Sequence, residues 1–442
     1  MKNCSLKFFV IALLLIVQQS KTQNARCKST AANNVDWYVL YKTPDQVTAK
    51  IITSAAPQWA DEGAVLTANA GHALVSTLES WLVPLPNTLS AVGYSNQPPG
   101  FSGFTTDSTS KGIIMMTNAQ PQSFWLVHTM PRALANGVAW AWPADLTPQG
   151  HMAVCVDVST QTVTLIASAL VYQNPLIYFS NIAPALQATQ QTLMKLISGL
   201  TPILTPPFAN TQTIRTLAAG AEVPITIFSK LSIGRIEMYA KILARKLKAN
   251  IRIWAKTDNS LGSTGGGKIG FVKVVQSPIT VDNQQSTREK DSSQWVSVEQ
   301  KPLFCFTTNS YNKEQLMKSG TAICLEHQAL SDLFATIAAN VIPPRFLGHL
   351  AQLFTNSCSS MFLLFKPVNQ LMGKIISSIN IAWANDGANM NSNNGHALVQ
   401  TLAEWMGPIF ADITAVGYSN MPPKSTITSK TTTSKGIDYK CI

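Results

Sequence analysis

The chain has 442 residues, of which 46% are hydrophobic and 12% are charged, and its formal net charge at pH 7 is +11. This hydrophobic content is enough to bury a core and excludes an intrinsically disordered chain. The excess of cations favours polyanionic partners such as nucleic acid, although anionic membranes and glycans would also be attracted.

The N-terminus has the organisation of a secretory signal peptide. Lys2 and Lys7 precede the apolar run FFVIALLLIV at residues 8–17, and the polar residues QQSKTQ follow it. The run is short for a bilayer span, so we expect a signal peptide over residues 1–22, with an uncleaved membrane anchor as the alternative. The protein is therefore expected to be secreted. No Asn-x-Ser/Thr triplet follows residues 3–5, which favours secretion over glycan-dependent sorting to lysosomes.

Strand and helix patterns alternate along the central part of the chain. Strands are predicted at residues 35–42, 112–117, 123–130, 151–158 and 250–256, where β-branched and aromatic residues lie between turn-forming residues. Helices are predicted at residues 73–85, 184–200 and 330–342, where apolar residues recur at three- and four-residue spacing. This order predicts an α/β fold of mixed layers in which helices pack on sheets.

The most basic stretch of the chain lies at residues 230–256. It contains one acid, Glu237, and many cations, and on a helix Lys241, Arg245 and Lys248 would share one face. Such a face can bind phosphate groups with an affinity that falls as salt rises, and a solvated helix face without a ligand is the alternative. The candidate DNA-binding residues are Lys230, Arg235, Lys241, Arg245 and Lys248.

No pattern indicates a metal, cofactor or esterase site. The six histidines include no pair with the spacing of metal ligands, and no Gly-x-Ser-x-Gly elbow is present. The glycine-rich stretch at residues 262–270 nearly matches a nucleotide-binding loop, but Ile269 stands where a magnesium-binding Ser or Thr is required. We therefore expect a flexible turn there, and no metal or cofactor in the protein.

A long segment of the chain occurs twice. Residues 50–81 return as residues 374–405, AVGYSN-x-PP at residues 91–99 returns at residues 415–423, and SKGI at residues 110–113 returns at residues 434–437. The constant spacing indicates duplication. The second copy stops shortly afterwards, so residues 366–442 are predicted to be a partial repeat of residues 50–113 without an independent core. A truncated or fused gene is the alternative origin.

The cysteines indicate disulfide bonds, because a secreted chain matures in an oxidising compartment. Spacing alone does not show how they pair. After loss of the signal peptide the set is Cys27, Cys155, Cys305, Cys324, Cys358 and Cys441.

Several stretches together resemble the deoxyribonuclease II family. They are VDWYVLYK, GYSNQPP, a strand start at SKG, FWLVHTMP, FSKLSIG, DSSQW, KPLFC and GTAICLEHQAL, in this order over residues 27–365. The resemblance implies two similar phospholipase D-like halves, here residues 23–205 and 206–365, packed as an internal pseudo-dimer. It also implies that Cys27 pairs with Cys155 and Cys305 with Cys324, which leaves Cys358 and Cys441 unassigned.

The resemblance further implies a site for cutting DNA in acid without a metal ion. Each half of such a protein contributes a His-x-Lys motif: one histidine attacks phosphorus to form a phosphohistidine, the other protonates the leaving oxygen, and the lysines hold the phosphate charge. Here Thr109 precedes Lys111 in the first motif, and Ser292 and Gln294 replace the histidine and lysine of the second. Lys111 and His128, which matches a further histidine near the family's site, are the remaining candidate catalytic residues.

These substitutions predict a secreted, DNA-binding member of the family that is catalytically degenerate. Loss of a catalytic nucleophile or base from a hydrolase costs roughly a millionfold in turnover. Two alternatives are an active acid endodeoxyribonuclease with a rearranged site, and a secreted non-enzymatic protein that binds a host protein or a glycan. The sequence leaves enzymatic activity and oligomeric state open.

Overall fold

The computed structural model of the chain describes residues 24–101, 106–200, 203–258, 260–263 and 270–342, and five short strands between residues 362 and 439. The chain forms two compact units, Met1–Pro344 and Arg345–Ile442. The expected signal peptide, most of the glycine-rich stretch, Cys358 and Cys441 lie outside the described residues. No helix in the described ranges is long and apolar enough to cross a membrane.

The first unit is built from two large sheets, a small hairpin and short helices. Its strands are β1 Trp37–Lys42, β2 Lys50–Thr53, β3 Ala60–Asp61, β4 Leu89–Ser95, β5 Lys111–Thr117, β6 Ser123–His128, β7 His151–Val158, β8 Ile177–Asn181, β9 Ala209–Arg215, β10 Pro224–Lys230, β11 Ile251–Trp254, β12 Val272–Val274, β13 Ile279–Val281, β14 Gln284–Ser286, β15 Trp295–Val298, β16 Leu303–Thr307 and β17 Gly320–Glu326. Its α-helices are α1 Ala73–Leu78, α2 Val163–Val171, α3 Pro184–Thr189, α4 Gln191–Ile197, α5 Arg245–Leu247 and α6 Gln328–Ile337. A π-helix, Met238–Ala244, leads into α5, and 3₁₀ turns lie at Ala144–Leu146, Thr160–Thr162, Ser232–Gly234 and Lys313–Met317.

The two large sheets have closely similar strand orders. The first sheet has the order β3-β2-β1-β7-β6-β5-β4-β8, and the second has the order β12-β11-β15-β16-β17-β10-β9. The run β1-β7-β6-β5-β4 corresponds to the run β10-β17-β16-β15-β11, and neighbouring strands are antiparallel throughout both runs. This similarity supports the predicted internal pseudo-dimer, which stays a prediction.

Both sheets are covered on both faces, which explains the nearly continuous apolar strands. In β1, Trp37 and Val39 join a core that also contains residues of the second sheet and of α2, α3, α4 and α6, whereas Tyr38 and Leu40 point to the opposite face. Helix α1 covers that outer face of the first sheet, and the π-helix covers the outer face of the second. The α/β fold of mixed layers is confirmed.

The predicted strands are confirmed, but all three helices are shorter than predicted, and the one predicted at residues 330–342 is α6, which ends at Ile337. The helix predicted at residues 73–85 ends at Leu78, and the one predicted at residues 184–200 is divided into α3 and α4. The break lies at Gln190, whose side chain is buried and occupied elsewhere: its Oε1 accepts from Thr164 Oγ1 at 2.9 Å, and its Nε2 donates to Thr160 O at 2.9 Å.

Two disulfides have the pairing that the resemblance implied. Cys27 is bonded to Cys155 and Cys305 to Cys324, and the second pair joins residues directly opposite one another on β16 and β17. The first bond fastens the N-terminal segment to β7. A nearby carboxylate reinforces it, because Asp157 Oδ1 accepts from the Cys27 backbone N–H at 2.6 Å.

The second unit repeats the backbone pairing of the first copy. Strands β18 Phe362–Phe365, β19 Met372–Ser377 and β20 Ala384–Asn389 form one sheet, and β21 Ala415–Tyr418 pairs with β22 Gly436–Tyr439. Lys374 lies opposite Asn385 as Lys50 lies opposite Asp61. Leu364 pairs with Ile375 as Leu40 does with Ile51, so the shared pairing begins before residue 366.

Candidate functional site

A cleft of about 250 Å³ lies at strand ends of the two large sheets. The lining residues that come from the first sheet and its loops are Asn96, Gln97, Thr109, Lys111, His128, Thr129 and Pro131. Those that come from the second sheet and its loops are Lys256, Ser292, Gln294, Thr308, Ser310 and Gln315. The cleft therefore belongs to both sheets, and neither sheet alone would form it.

All five of the residues predicted from the two degenerate motifs and from HTMP line this one cleft. Thr109 and Lys111 come from the first motif, Ser292 and Gln294 from the second, and His128 from the end of β6. Lys111 is the first residue of β5. Gly112 pairs with Val127 of the antiparallel strand β6, so Lys111, one residue earlier, lies beside His128, one residue later. The chain brings these residues together from distant parts of the sequence.

The glycine after Lys111 is required by the packing of Tyr94. A Cβ atom at Gly112 would lie 2.5 Å from the carbonyl oxygen of Leu126 and would also overlap the Tyr94 hydroxyl. That hydroxyl accepts a hydrogen bond from Trp125 Nε1 at 2.8 Å in the core. The Lys-Gly pair thus combines a cleft cation with a position that only glycine can occupy without displacing the core.

The cleft is cationic and holds no carboxylate among its lining residues. Burial lowers the pKa of Lys111 to about 8. Burial, the Lys111 charge and His151 together lower the pKa of His128 to about 3, so its ring is neutral at pH 5. Nδ1 of His128 has no hydrogen-bond partner in the described part of the chain. The site is therefore suited to an anion that would contact the ammonium of Lys111.

The Thr109 hydroxyl and the Gln294 amide are bonded to other polar groups. Thr109 Oγ1 shares a 2.8 Å hydrogen bond with Thr308 Oγ1 and donates to Ser319 O at 3.0 Å. Gln294 Nε2 donates to Thr308 O at 3.4 Å. In the described ranges, neither Thr109 nor Ser292 donates its hydroxyl to a histidine nitrogen, so neither motif hydroxyl has a base to activate it. Elsewhere in the cleft, Thr129 Oγ1 lies 3.5 Å from His151 Nδ1.

Asp291 anchors the second motif from within the core. Its Oδ2 accepts from Tyr41 Oη at 2.5 Å, from Trp254 Nε1 at 3.0 Å and from Ser286 Oγ at 2.5 Å. Its Oδ1 accepts from the Ser293 backbone N–H at 2.8 Å. These donors satisfy the buried carboxylate and hold the backbone from which Ser292 and Gln294 reach the cleft.

Of the five cations predicted to bind DNA, one is buried and four are exposed. Lys230 is fully buried, and its Nζ donates to Gln315 O at 2.7 Å and to Lys318 O. It therefore cannot act as a surface phosphate contact, because its ammonium is enclosed and bonded to backbone carbonyls. The other four are exposed, and none of them lines the cleft: Arg235, Lys241, Arg245 and Lys248.

Two residues near the cleft were not assigned to a site from the sequence. Lys256 follows β11 and lines the cleft, although the sequence placed it only in the basic stretch. His151 begins β7 and is 1% exposed, with Nε2 lacking a partner in the described part of the chain. Burial, and then Lys42, Lys111 and Lys256, lower its pKa to about 3. The sequence could have identified both residues only from their positions, because each lies at a strand end on the same side as the motifs.

Other parts of the described chain offer weaker candidates. A larger cavity of about 400 Å³ lies beside Arg252, Glu299 and Lys301. Its charged groups are already hydrogen-bonded: Arg252 Nε donates to Glu299 at 2.7 Å, and Lys301 Nζ donates to a backbone carbonyl. Asp332 accepts from Gln328 Nε2 at 2.8 Å. No three His, Cys, Asp or Glu side chains converge as a metal site in the described ranges. The smaller cleft is therefore the candidate site.

Comparisons with known proteins agree on one family. A family model described as Deoxyribonuclease II matches residues 26–343. Deoxyribonuclease-2-alpha of Mus musculus is 25% identical to this chain over 357 residues, which cover 77% of this chain and 98% of that protein. Deoxyribonuclease-2-alpha of Rattus norvegicus is 24% identical, with 70% and 92% covered. Cell death-related nuclease 6 of Caenorhabditis elegans is 22% identical, with 75% and 93% covered.

Proposed function

Because this chain belongs to the deoxyribonuclease II family, we propose that it is a secreted DNA-binding protein whose phosphodiester-cleaving site is catalytically degenerate. The observation that carries the proposal is the lining of the cleft. Thr109, Ser292 and Gln294 stand at the motif positions, while Lys111 and Lys256 supply cations without a competing carboxylate.

Cleavage fails for lack of a nucleophile and of an acid. The hydroxyl of Thr109 is bonded to Thr308 and Ser319, and no basic group takes its proton. His128 is the one histidine that lines the cleft, and its lowered pKa leaves it neutral at pH 5, without a proton for a leaving oxygen. Loss of such groups from a hydrolase costs roughly a millionfold in turnover.

Binding persists because phosphate recognition needs cations rather than a nucleophile. Lys111 and Lys256 line one cleft from different sheets, so a DNA strand bound there would place its backbone phosphates among cations of both sheets. The exposed cations of the basic stretch would attract neighbouring phosphates without sequence preference. DNA is the expected ligand because the similar proteins are named deoxyribonucleases.

Secretion is supported by the N-terminal sequence and by the two disulfides. An apolar run between charged and polar residues opens the chain, and disulfides of this kind persist in oxidising compartments. Recovery of the protein from the medium of expressing cells, with an N-terminus near residue 23, would test this part of the proposal. Retention in the cell with residues 1–22 attached would contradict it.

The catalytic part of the proposal is tested with supercoiled plasmid at pH 5 in EDTA. We expect no nicking by the wild type. The variant Thr109→His, Ser292→His, Gln294→Lys restores the family's motif side chains around the same cleft and serves as the positive control, with nicking expected. Nicking by the wild type that His128→Gln abolishes would overturn the degenerate site and make the protein an acid endonuclease.

The binding part is tested by fluorescence anisotropy with a labelled 20-base-pair duplex over a range of KCl concentrations. Lys111→Met and Lys256→Met are each expected to weaken binding and to reduce the salt slope of log K by about 1. Lys195→Met is the matched control, because Lys195 is an exposed lysine on α4 that does not line the cleft. Absence of binding at low salt would refute DNA as the ligand, and equal slopes for all three variants would remove the cleft from the binding surface.

A further inference from the structure

Two buried lysines occupy corresponding places in the two sheets. Lys42 ends β1 and lies opposite His151, the first residue of β7. Lys230 ends β10 and lies opposite Gly320, the first residue of β17. Both lysines are 0% exposed. The sequence contains no repeat that relates them, so their equivalence is visible only in the strand pairing.

Each lysine bonds the loop that leads into the strand beside it. Lys42 Nζ donates to Gln149 O at 2.7 Å and also to Thr147 O. Lys230 Nζ donates to Gln315 O at 2.7 Å and to Lys318 O. A buried ammonium is costly unless its protons are bonded, so each lysine strongly favours the loop conformation that presents these carbonyls. Burial lowers the pKa of both lysines to about 8.

The first loop ends at Gly150 and bonds the second motif. The Gly150 N–H donates to Lys290 O at 2.7 Å, and the Ser292 N–H donates to Gly150 O at 2.9 Å. Gly150 and Asp291 thereby form a parallel bridge between the two sheets. A Cβ at Gly150 would lie 2.5 Å from Asp291 Oδ1, which shows how closely the two backbones approach.

The second loop ends at Ser319 and bonds the first motif in the same manner. The Ser319 N–H donates to Asp107 O at 2.7 Å, and the Thr109 N–H donates to Ser319 O at 2.9 Å. Ser108 and Ser319 form the corresponding parallel bridge. Each sheet therefore holds the motif segment of the other one, through a loop that one of the two lysines fastens.

We infer that Lys42 and Lys230 are positioning residues that act across the cleft. Lys42, in the first sheet, orders residues 290–294 of the second, and Lys230, in the second sheet, orders residues 107–111 of the first. Loss of either ammonium frees its loop carbonyls, lets the loop move, and loosens the motif segment of the opposite sheet. This inference goes beyond DNA binding and does not depend on it.

The test is amide hydrogen exchange of the full secreted chain without ligand, followed by mass spectrometry of peptides covering residues 107–111 and 290–294. Lys42→Met is expected to speed exchange at residues 290–294 about tenfold and to leave residues 107–111 unchanged, and Lys230→Met is expected to do the reverse. Lys301→Met is the control for loss of a lysine–carbonyl bond, with neither segment expected to change: exposed Lys301 donates from Nζ to Leu247 O at 2.6 Å, a carbonyl that touches neither motif.

In this crossed pattern each variant speeds exchange only in the motif segment of the opposite sheet. A general loss of stability would instead speed exchange in both segments. Faster exchange in both segments for each variant, in the segment of the same sheet, or in neither segment would overturn the inference. If the methionine variants do not fold, Lys42→Gln and Lys230→Gln keep an NH₂ donor on a shorter side chain and should show the same crossed pattern with smaller amplitude. The readout contains no DNA, so its outcome is independent of the proposed binding function.

Discussion

Keeping two neutral histidines beneath a cationic cleft should make this protein less stable in acid. His128 and His151 are 3% and 1% exposed, and burial is the largest cause that lowers the pKa of each to about 3. The Lys111 ammonium lowers both further, His151 adds to the effect on His128, and Lys42 and Lys256 add to the effect on His151.

The direction of this pH dependence follows from which state, folded or unfolded, binds more protons. An unfolded histidine has a pKa of about 6.5, so between about pH 6.5 and pH 3 the unfolded chain takes up protons that the folded chain does not. Stability is therefore fully present above pH 6.5 and is lost as the pH falls. From pH 7.5 to pH 5 the free energy of unfolding should fall by about 2 kcal/mol for each histidine, or roughly 4 kcal/mol for both.

The assay is urea unfolding followed by tryptophan fluorescence at both pH values, for the wild type and for His128→Gln with His151→Gln. Glutamine stays neutral at both pH values. When the pH is lowered from 7.5 to 5, the double variant should therefore lose about 4 kcal/mol less unfolding free energy than the wild type. His327→Gln is the control, with a smaller effect expected because its ring is only partly buried. Equal pH-dependent changes in wild type and double variant would refute the reasoning, since the histidines would then titrate as they do when unfolded.

Two further predictions concern stability and use the same unfolding assay at pH 7.5. Gly112→Ala should lower the free energy of unfolding by about 1–3 kcal/mol, because the added Cβ has no room beside the neighbouring strands; an unchanged midpoint would contradict the packing described for this residue. Removing the Cys27–Cys155 bond, which spans 128 residues, should cost about 1.5–2 kcal/mol more than removing the Cys305–Cys324 bond, which spans 19. A larger loss from the second pair would show that loop entropy does not dominate.

Local patterns were sufficient to place β1, β5, β6, β7 and β11, but not the other described strands. Segments such as β1 and β7 are buried on both faces, so their apolar runs bounded by turn residues are a strong signal. The helices were less accurate where a side chain was engaged elsewhere: the bonds of Gln190 to residues near the start of α2 divide α3 from α4, and no periodicity within residues 184–200 shows this.

The membership of the cleft came from motif resemblance rather than from spacing. Thr109, Lys111, His128, Ser292 and Gln294 were grouped because they match positions of family motifs, and the fold places all five in one cleft. Their chemistry could be anticipated in part, since the loss of two histidines is evident in the sequence. The low pKa of the remaining cleft histidine could not be anticipated, because it depends on burial and on lysines from other strands.

The lysines near strand ends show which properties of the chain follow from its sequence and which depend on tertiary structure. From the sequence follow the family resemblance, the α/β class, the repeat and the loss of the motif histidines, and the cysteine pairing follows only as an implication of that resemblance. The motif match identified Lys111 as a cleft residue and the basic stretch suggested Lys230 as a DNA contact, but nothing in the sequence showed that Lys42 and Lys230 are enclosed. Whether such a cation is enclosed by backbone carbonyls or faces a cleft depends on which loops of the other elements reach it. That is a property of long-range packing, so only the folded chain distinguishes the two positioning lysines from the two that can meet a phosphate.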